Sequence, residues 1–220
     1  MLRPTAPYYN LFAKTDLRRD WTIAPYQYRT DGSKNDRSKV SDKWSYFCGK
    51  FRREYELSEY KYVSSYTPIN FPLLRYSDVL LMYAEAVVAD PADDSAADFA
   101  AALERVNQVR RRGYGKPVAT PNASVDVTSA TKEALFAVIR DERARELGFE
   151  LLRKDDLVRW GLYYSTMHNV IASMPATYTS SQHVSARLYY GSVEEYDVLW
   201  PIPATEISAN DQLEQNPGWE

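Results

Sequence analysis

The sequence predicts a mainly α-helical protein: helix pairs joined to a loop-rich part that carries short strands. Two observations predict it. Between residues 76 and 150 apolar side chains recur at helical spacing in three segments, each bounded by capping or breaking residues. Residues 1–70, by contrast, are polar and aromatic and hold only short apolar runs. The division expected is a loop-rich segment over 1–70 and a helical region over 71–220.

The elements follow in order. Pro4 and Pro7 flank Tyr8 and Tyr9, which favours extended or loop backbone. Residues 1–11 lack the charged start, apolar run and small-residue cleavage site of an export signal. Trp21-Thr22-Ile23 and Trp44-Ser45-Tyr46-Phe47 read as short strands, with Trp21 packed inward. The charged stretch 29–43, with Asp31-Gly32-Ser33, reads as a loop.

A first helix is predicted over 76–88, with Ser77 as its cap and Asp90-Pro91 as its stop. Its run from Val79 to Val88 is apolar nearly all round, so burial on most sides is expected. A second helix opens at Ser95, with Asp98 at capping-box spacing, and ends at Gly113. It presents Phe99, Leu103, Val106 and Val109 on one face, and Arg110 projects onto that face. Glu104 falls on the polar side, where its loss is expected to be mild. Residues 116–130, with Pro117 and Pro121, form a loop. A third helix runs from about Thr131 to about Glu150, and a shorter fourth covers 154–164. Residues 165–197 are rich in Ser, Tyr and Thr and read as a long irregular loop. The tail carries Trp200-Pro201-Ile202-Pro203, a helical turn from Ile207 to Leu213, and a closing Pro217-Gly218 turn.

Composition removes several function classes. Lys and Arg number 27 and Asp and Glu 30 in 220 residues, a net charge of −3, which provides no electrostatic footprint for nucleic acid or an anionic membrane. Cys48 is alone, so no internal disulfide forms. No apolar run reaches the roughly 18 residues of a membrane span. Phosphate-cradling glycine loops and a Gly-x-Ser-x-Gly elbow are missing. The acidic stretch 90–94 lacks the spacing of a calcium loop and reads as a solvated connection.

Glu142 and Glu146 sit at i, i+4 in the middle of the third helix's apolar face, beside Leu135, Val138, Ile139 and Phe149. A di-metal carboxylate site would add Glu-x-x-His, but Ser165 and Ser180 stand three residues before His168 and His183. No metal is therefore expected. Carboxylates on an apolar face need cationic partners. Arg110 is the first choice, with Arg145, Arg153 and Arg159 as others, and the result is a buried ionic lattice that fixes helix register. A glycoside hydrolase, which needs two carboxylates some 5 to 10 Å apart, stays as an alternative.

Asp98-Phe99, Ala102 and Val106 match the second helix of a tetratricopeptide-type pair, although no second copy follows at the ~34-residue period of that repeat. Longer blocks carry a wider resemblance. They are Phe71-Pro72-Leu73-Leu74-Arg75-Tyr76 with the helix through Ala86, residues 103–112, 139–150 and 153–161, Leu199-Trp200-Pro201-Ile202-Pro203, Glu206-Ile207, and Gln215-Asn216-Pro217-Gly218-Trp219. Asp16 to Ile23 adds an Asp-x-Arg segment. In this order and spacing the chain resembles the carboxy-terminal portion of the SusD/RagB family, surface glycan-binding lipoproteins of Gram-negative bacteria.

The resemblance implies tetratricopeptide-like helix pairs with an irregular, loop-rich part. It implies capture of an oligosaccharide or another nutrient, delivery to a TonB-dependent outer-membrane transporter of the SusC type, and no catalysis or cofactor. It places the protein on the outer membrane through a lipid anchor outside this chain. Family members are roughly twice as long, so the amino-terminal half of the family is expected to lie outside these residues. A helical docking scaffold without a small ligand is the other reading.

For ligand contacts the sequence offers aromatics outside the helical frame. There are 18 Tyr and 5 Trp against 7 Phe, a balance that suits sugar faces. Candidates are Tyr8, Tyr9, Trp21, Tyr26, Tyr28, Tyr178, Tyr189 and Tyr190. Tyr8, Tyr9 and Tyr26 are the preferred three, because proline-flanked extended segments keep side chains out of the core.

Overall fold

Capping chemistry starts most of the helices. Thr5 accepts from the Tyr8 N–H to open α1 (Ala6–Asn10), and Asp16 accepts from Arg18 N–H to open α2 (Leu17–Thr22). The structure is a computed structural model and describes residues 3–29, 31, 33–56, 68–92, 95–177 and 180–220. It is mainly helical, as the sequence predicts. Residues 1–153 form one compact unit and 154–220 a second.

The first unit begins with short strands. β1 (Ile23–Ala24) pairs antiparallel with β4 (Phe47–Cys48), and β2 (Tyr26–Tyr28) pairs antiparallel with β3 (Lys34–Asp36). Three expectations are corrected here. Trp21 lies on α2, because Asp16 caps a helix that lasts through Thr22, and the strand starts only at Ile23. Trp44 and Ser45 lie in a 3-10 turn (Lys43–Ser45) capped by Asp42, and the stretch taken as loop holds β3.

Three long helices follow. α3 (Tyr76–Ala89) ends at Asp90, α4 (Ala96–Gly113) is capped by Ser95, and α5 (Lys132–Leu147) is capped by Thr131. Ser77 is not the cap of α3; its hydroxyl accepts instead from Arg75, the residue at the cap position. Leu81, Ala84 and Val88 of α3 meet Ala102, Val106 and Val109 of α4 and Leu135 and Ile139 of α5. Each buried Val, Leu or Ile side chain contributes about 1.5–3 kcal/mol.

α3 is not buried on most sides. Tyr76, Val79, Met82 and Tyr83 are exposed on the face opposite Leu81 and Val88. The apolar run serves two faces, and only one of them is packed by α4 and α5. A smaller aromatic core sits under the strands: Phe12, Ile23 and Tyr46 are buried, with Tyr8, Tyr9, Val40 and Phe149 against them.

The second unit corrects the reading of 165–197 as irregular. α6 (Arg153–Arg159) leads into α7 (Tyr163–Ala172) and α8 (Ser181–Gly191), and a 3-10 turn covers Glu195–Val198. Ser180 caps α8 by accepting from His183 N–H, so one of the many serines marks a helix start. Leu157, Tyr163 and Val193 form its core. α9 (Ala204–Ala209) takes the place of the turn expected from Ile207. Gln215 pairs with both backbone groups of Ile202, at 2.8 and 2.9 Å, and Asn216 Nδ2 donates to Trp200 O.

Candidate functional site

The frame under the site is an ion lattice. Arg18 donates from Nε and Nη2 to Asp16 at 2.9 and 2.7 Å, and from Nη1 to Glu142 and Glu146 at 2.7 and 2.9 Å. The other Glu142 oxygen accepts from Arg110 at 3.1 Å and from Arg145 at 3.0 and 3.1 Å. Arg110 is thus where the sequence expects it. Arg75 and Arg112 reach Glu146, and Arg75 Nε reaches Glu150 at 2.8 Å. Lys50 Nζ donates to the Glu146 and Gly148 carbonyls, at 2.7 and 3.1 Å, and to the Glu150 carboxylate. It therefore caps the C-terminal end of α5.

Burial pushes the Glu146 carboxyl up, but Arg75, Arg112 and Arg18 outweigh it and hold the pKa at about 2. Glu142 is fully buried and saturated with cations. At neutral pH the Glu146 carboxylate is therefore held ionised. Arg153 Nη1 donates to Arg140 O, and Arg159 pairs with Asp156.

Two glycines make room for this frame. A Cβ at Gly113 would lie 2.3 Å from Arg18 Nε, and one at Gly148 would lie 1.7 Å from the Tyr8 hydroxyl. Gly113 ends α4 as predicted, and its missing side chain also admits Arg18.

An aromatic platform stands on the frame. Trp21 and Tyr55 lie side by side as a tilted pair, with ring centres 5.6 Å apart and planes 32° apart. Both are open to solvent, at 50% and 71%. The Arg52 guanidinium lies 4.9 Å from the Trp21 ring and 5.6 Å from that of Tyr26. Tyr26 and Tyr28, two apart on β2, share one face and donate their hydroxyls to Glu54 at 3.0 and 2.7 Å. Lys34, facing Tyr28 across the strand pair, reaches Glu54 at 2.7 Å and lies 4.3 Å from the Tyr26 ring. Partial burial raises the Glu54 pKa, but the hydrogen bonds from Lys34, Tyr28 and Tyr26 prevail and hold it at about 2. Beside the platform lies an open depression of about 410 Å³, lined by Trp21, Phe51, Arg52, Tyr55, Glu56, Pro68 and Ile69.

The structure distributes the candidate aromatics. Tyr26 belongs to the platform. Tyr8 packs edge-on against Phe12 and Phe149 with its hydroxyl buried, and Tyr9 packs edge-on against Tyr46. Trp21 faces outward from α2, not inward from a strand. Tyr189 and Tyr190 form an edge-on pair on α8, and Tyr178 lies outside the described residues. Tyr55, Arg52 and Glu54 were not singled out from the sequence. Their segment has no period, and only the folded chain brings them to Trp21.

Among the described residues no group of three His, Cys, Asp or Glu side chains is placed to hold a metal ion, and no helix is long and apolar enough to cross a membrane. Burial pushes the Cys48 thiol up, away from its reactive form.

A family model described as the SusD family matches residues 4–219. The chain belongs to the SusD family. Starch-binding protein SusD of Bacteroides thetaiotaomicron is 26% identical over 161 residues, which are 71% of this chain and 23% of that protein. A solved SusD homologue from Bacteroides thetaiotaomicron is 31% identical with a TM-score of 0.71, over 93% of this chain and 41% of the other. A SusD superfamily protein from Bacteroides vulgatus is 25% identical with a TM-score of 0.64, over 99% of this chain and 44% of the other. This SusD-family chain thus spans less than half the length of these relatives.

Proposed function

We propose that this SusD-family chain belongs to a surface glycan-binding protein and supplies one aromatic platform to it. The reading rests on the tilted, solvent-open aromatic pair Trp21 and Tyr55 beside a depression. Such rings cover the apolar face of a pyranose, while the tyrosine oxygens meet its hydroxyls. Tyr26 joins them, and Tyr8 and Tyr9 support the segment from below. The captured oligosaccharide passes to a TonB-dependent outer-membrane transporter, with the protein held at the cell surface by a lipid anchor. No catalysis is assigned, because Glu142 and Glu146 are saturated by arginines.

Affinity gel electrophoresis against a polysaccharide panel tests this. The double variant Trp21→Ala/Tyr55→Ala is expected to lose about tenfold in affinity, roughly 1.4 kcal/mol, with its circular dichroism spectrum retained. Retained affinity in the double variant would reject the platform. Release of reducing ends from the panel would favour a hydrolase.

One observation favours the docking-scaffold reading. Tyr76, Val79, Met82 and Tyr83 give α3 an outward apolar stripe suited to another helix. A chain that binds no polysaccharide but is captured by its transporter would support it.

A further inference from the structure

We infer that the platform takes a neutral glycan, and that Glu54 sets this preference by pairing with Lys34 and Arg52. The inference rests on the glycan-binding reading above and deepens it.

Both cations lie against the aromatic rings, Lys34 on Tyr26 and Tyr28, Arg52 on Trp21 and Tyr26. A carboxylate on a uronic or sialic sugar seated there would be drawn to them. Both are already engaged by Glu54, Lys34 through one of its three N–H donors. Lys34 Nζ is 2.7 Å from Glu54 Oε2, and Arg52 Nη1 is 3.4 Å from Glu54 Oε1. Arg52 also donates from Nε to Gly49 O at 2.9 Å, and from Nη2 to Trp21 O at 3.1 Å and to Asp20 O. Its N–H edge is thus taken up by protein acceptors, and its flat face remains for the rings.

Glu56 lines the depression as well. Among the described residues here, Lys34 and Arg52 balance Glu54 and Glu56, for a formal charge of zero. A sugar carboxylate at Lys34 would lie beside the Glu54 carboxylate, a like-charge contact that is costly.

The same hub suits a neutral ring. Tyr26 and Tyr28 direct their O–H groups to Glu54, so each phenolic oxygen keeps its lone pairs outward as an acceptor. Sugar hydroxyls are donors to such oxygens, and no charge is needed. The low Glu54 pKa keeps this arrangement intact through the neutral and mildly acidic range.

The test compares neutral polysaccharides (soluble starch, xylan, mixed-linkage glucan) with anionic ones (polygalacturonate, alginate, heparin) at low and moderate salt. The readout is the ratio of anionic to neutral affinity. The wild type is expected to bind at least one neutral polysaccharide several-fold more tightly than any anionic one. Glu54→Gln keeps a hydroxyl acceptor but frees two cations, and is expected to raise the ratio several-fold in a salt-sensitive way. Lys34→Gln, on an exposed side chain, is expected to lower it and serves if the first variant misfolds. A wild type that binds anionic glycans as tightly as neutral ones overturns the inference, as does a ratio that neither variant moves. If the wild type binds no polysaccharide of either class, the glycan reading falls and this inference with it.

Discussion

Arg18 Nη1 lies 2.7 Å from Glu142 Oε1, joining α2 to the middle of α5 across 124 residues of sequence. Asp16 holds the other side of the same guanidinium. The Asp-x-Arg segment near the start of the chain is therefore part of the helical frame and not an appendage to it.

Removing one partner of a buried pair leaves an uncompensated charge, at a cost of about 3–5 kcal/mol. Arg18→Met and Glu142→Met are each expected to lower the unfolding free energy by that order in urea titrations. The double variant is expected to lose less than the sum, because the orphaned charge is gone. Strict additivity would show that the two groups are not coupled.

Acid is expected to weaken the same lattice through Glu146. Its folded pKa of about 2 lies below the ordinary value of 4.5. Its stabilising contribution is thus complete above about pH 4.5 and is lost as pH falls through about 2. Urea midpoints measured across that window are expected to drop. Glu146→Gln is expected to be less stable at pH 7 and to show a shallower fall on acidification. An unchanged slope in the variant would assign the acid sensitivity elsewhere.

Gly113→Ala is expected to destabilise, although alanine is ordinarily the better helix former. The added Cβ would meet the Arg18 guanidinium at 2.3 Å. In an Arg18→Ala background the same substitution is expected to be nearly neutral or stabilising. Thermal unfolding of the four-protein cycle measures this coupling.

Glu104→Ala is expected to cost roughly 1–3 kcal/mol, more than its helical position suggests. Both Glu104 oxygens accept from Arg111, at 2.8 and 3.0 Å, and Arg111 is only 1% exposed. Asp126 and the Val118 carbonyl hold the remaining donors. Chemical denaturation of Glu104→Ala beside Glu104→Gln separates loss of charge from loss of the hydrogen bonds.

The helical frame was legible because periodicity and caps are local. Ser95, Thr131 and Asp90 stand at the ends of α3, α4 and α5 where the sequence puts them. Arg110 beside Glu142 was legible too, since a carboxylate in an apolar stripe demands a cation on the facing stripe. Arg18 was not singled out as the partner, because nothing near it marks a contact 124 residues away. α7 and α8 were missed because their polar, tyrosine-rich faces weaken the apolar period. The platform was half legible: Tyr26 and Trp21 were candidates as aromatics. Tyr55 and Glu54 join them only through a 3-10 turn (Arg53–Tyr55) that carries no pattern.

The cap that Lys50 and Arg75 place on α5 has a consequence for biosynthesis. Both cations leave the ribosome well before the carbonyls and carboxylates they hold, which belong to residues 146–150. At about 5–20 residues per second, they wait some seconds in water for their acceptors. The last turn of α5 completes the fastening of the early, strand-bearing segment to the helices that Arg18 begins at Glu142. A chain that ends before residue 146 lacks these acceptors, and Lys50 and Arg75 then have no last turn of α5 to hold.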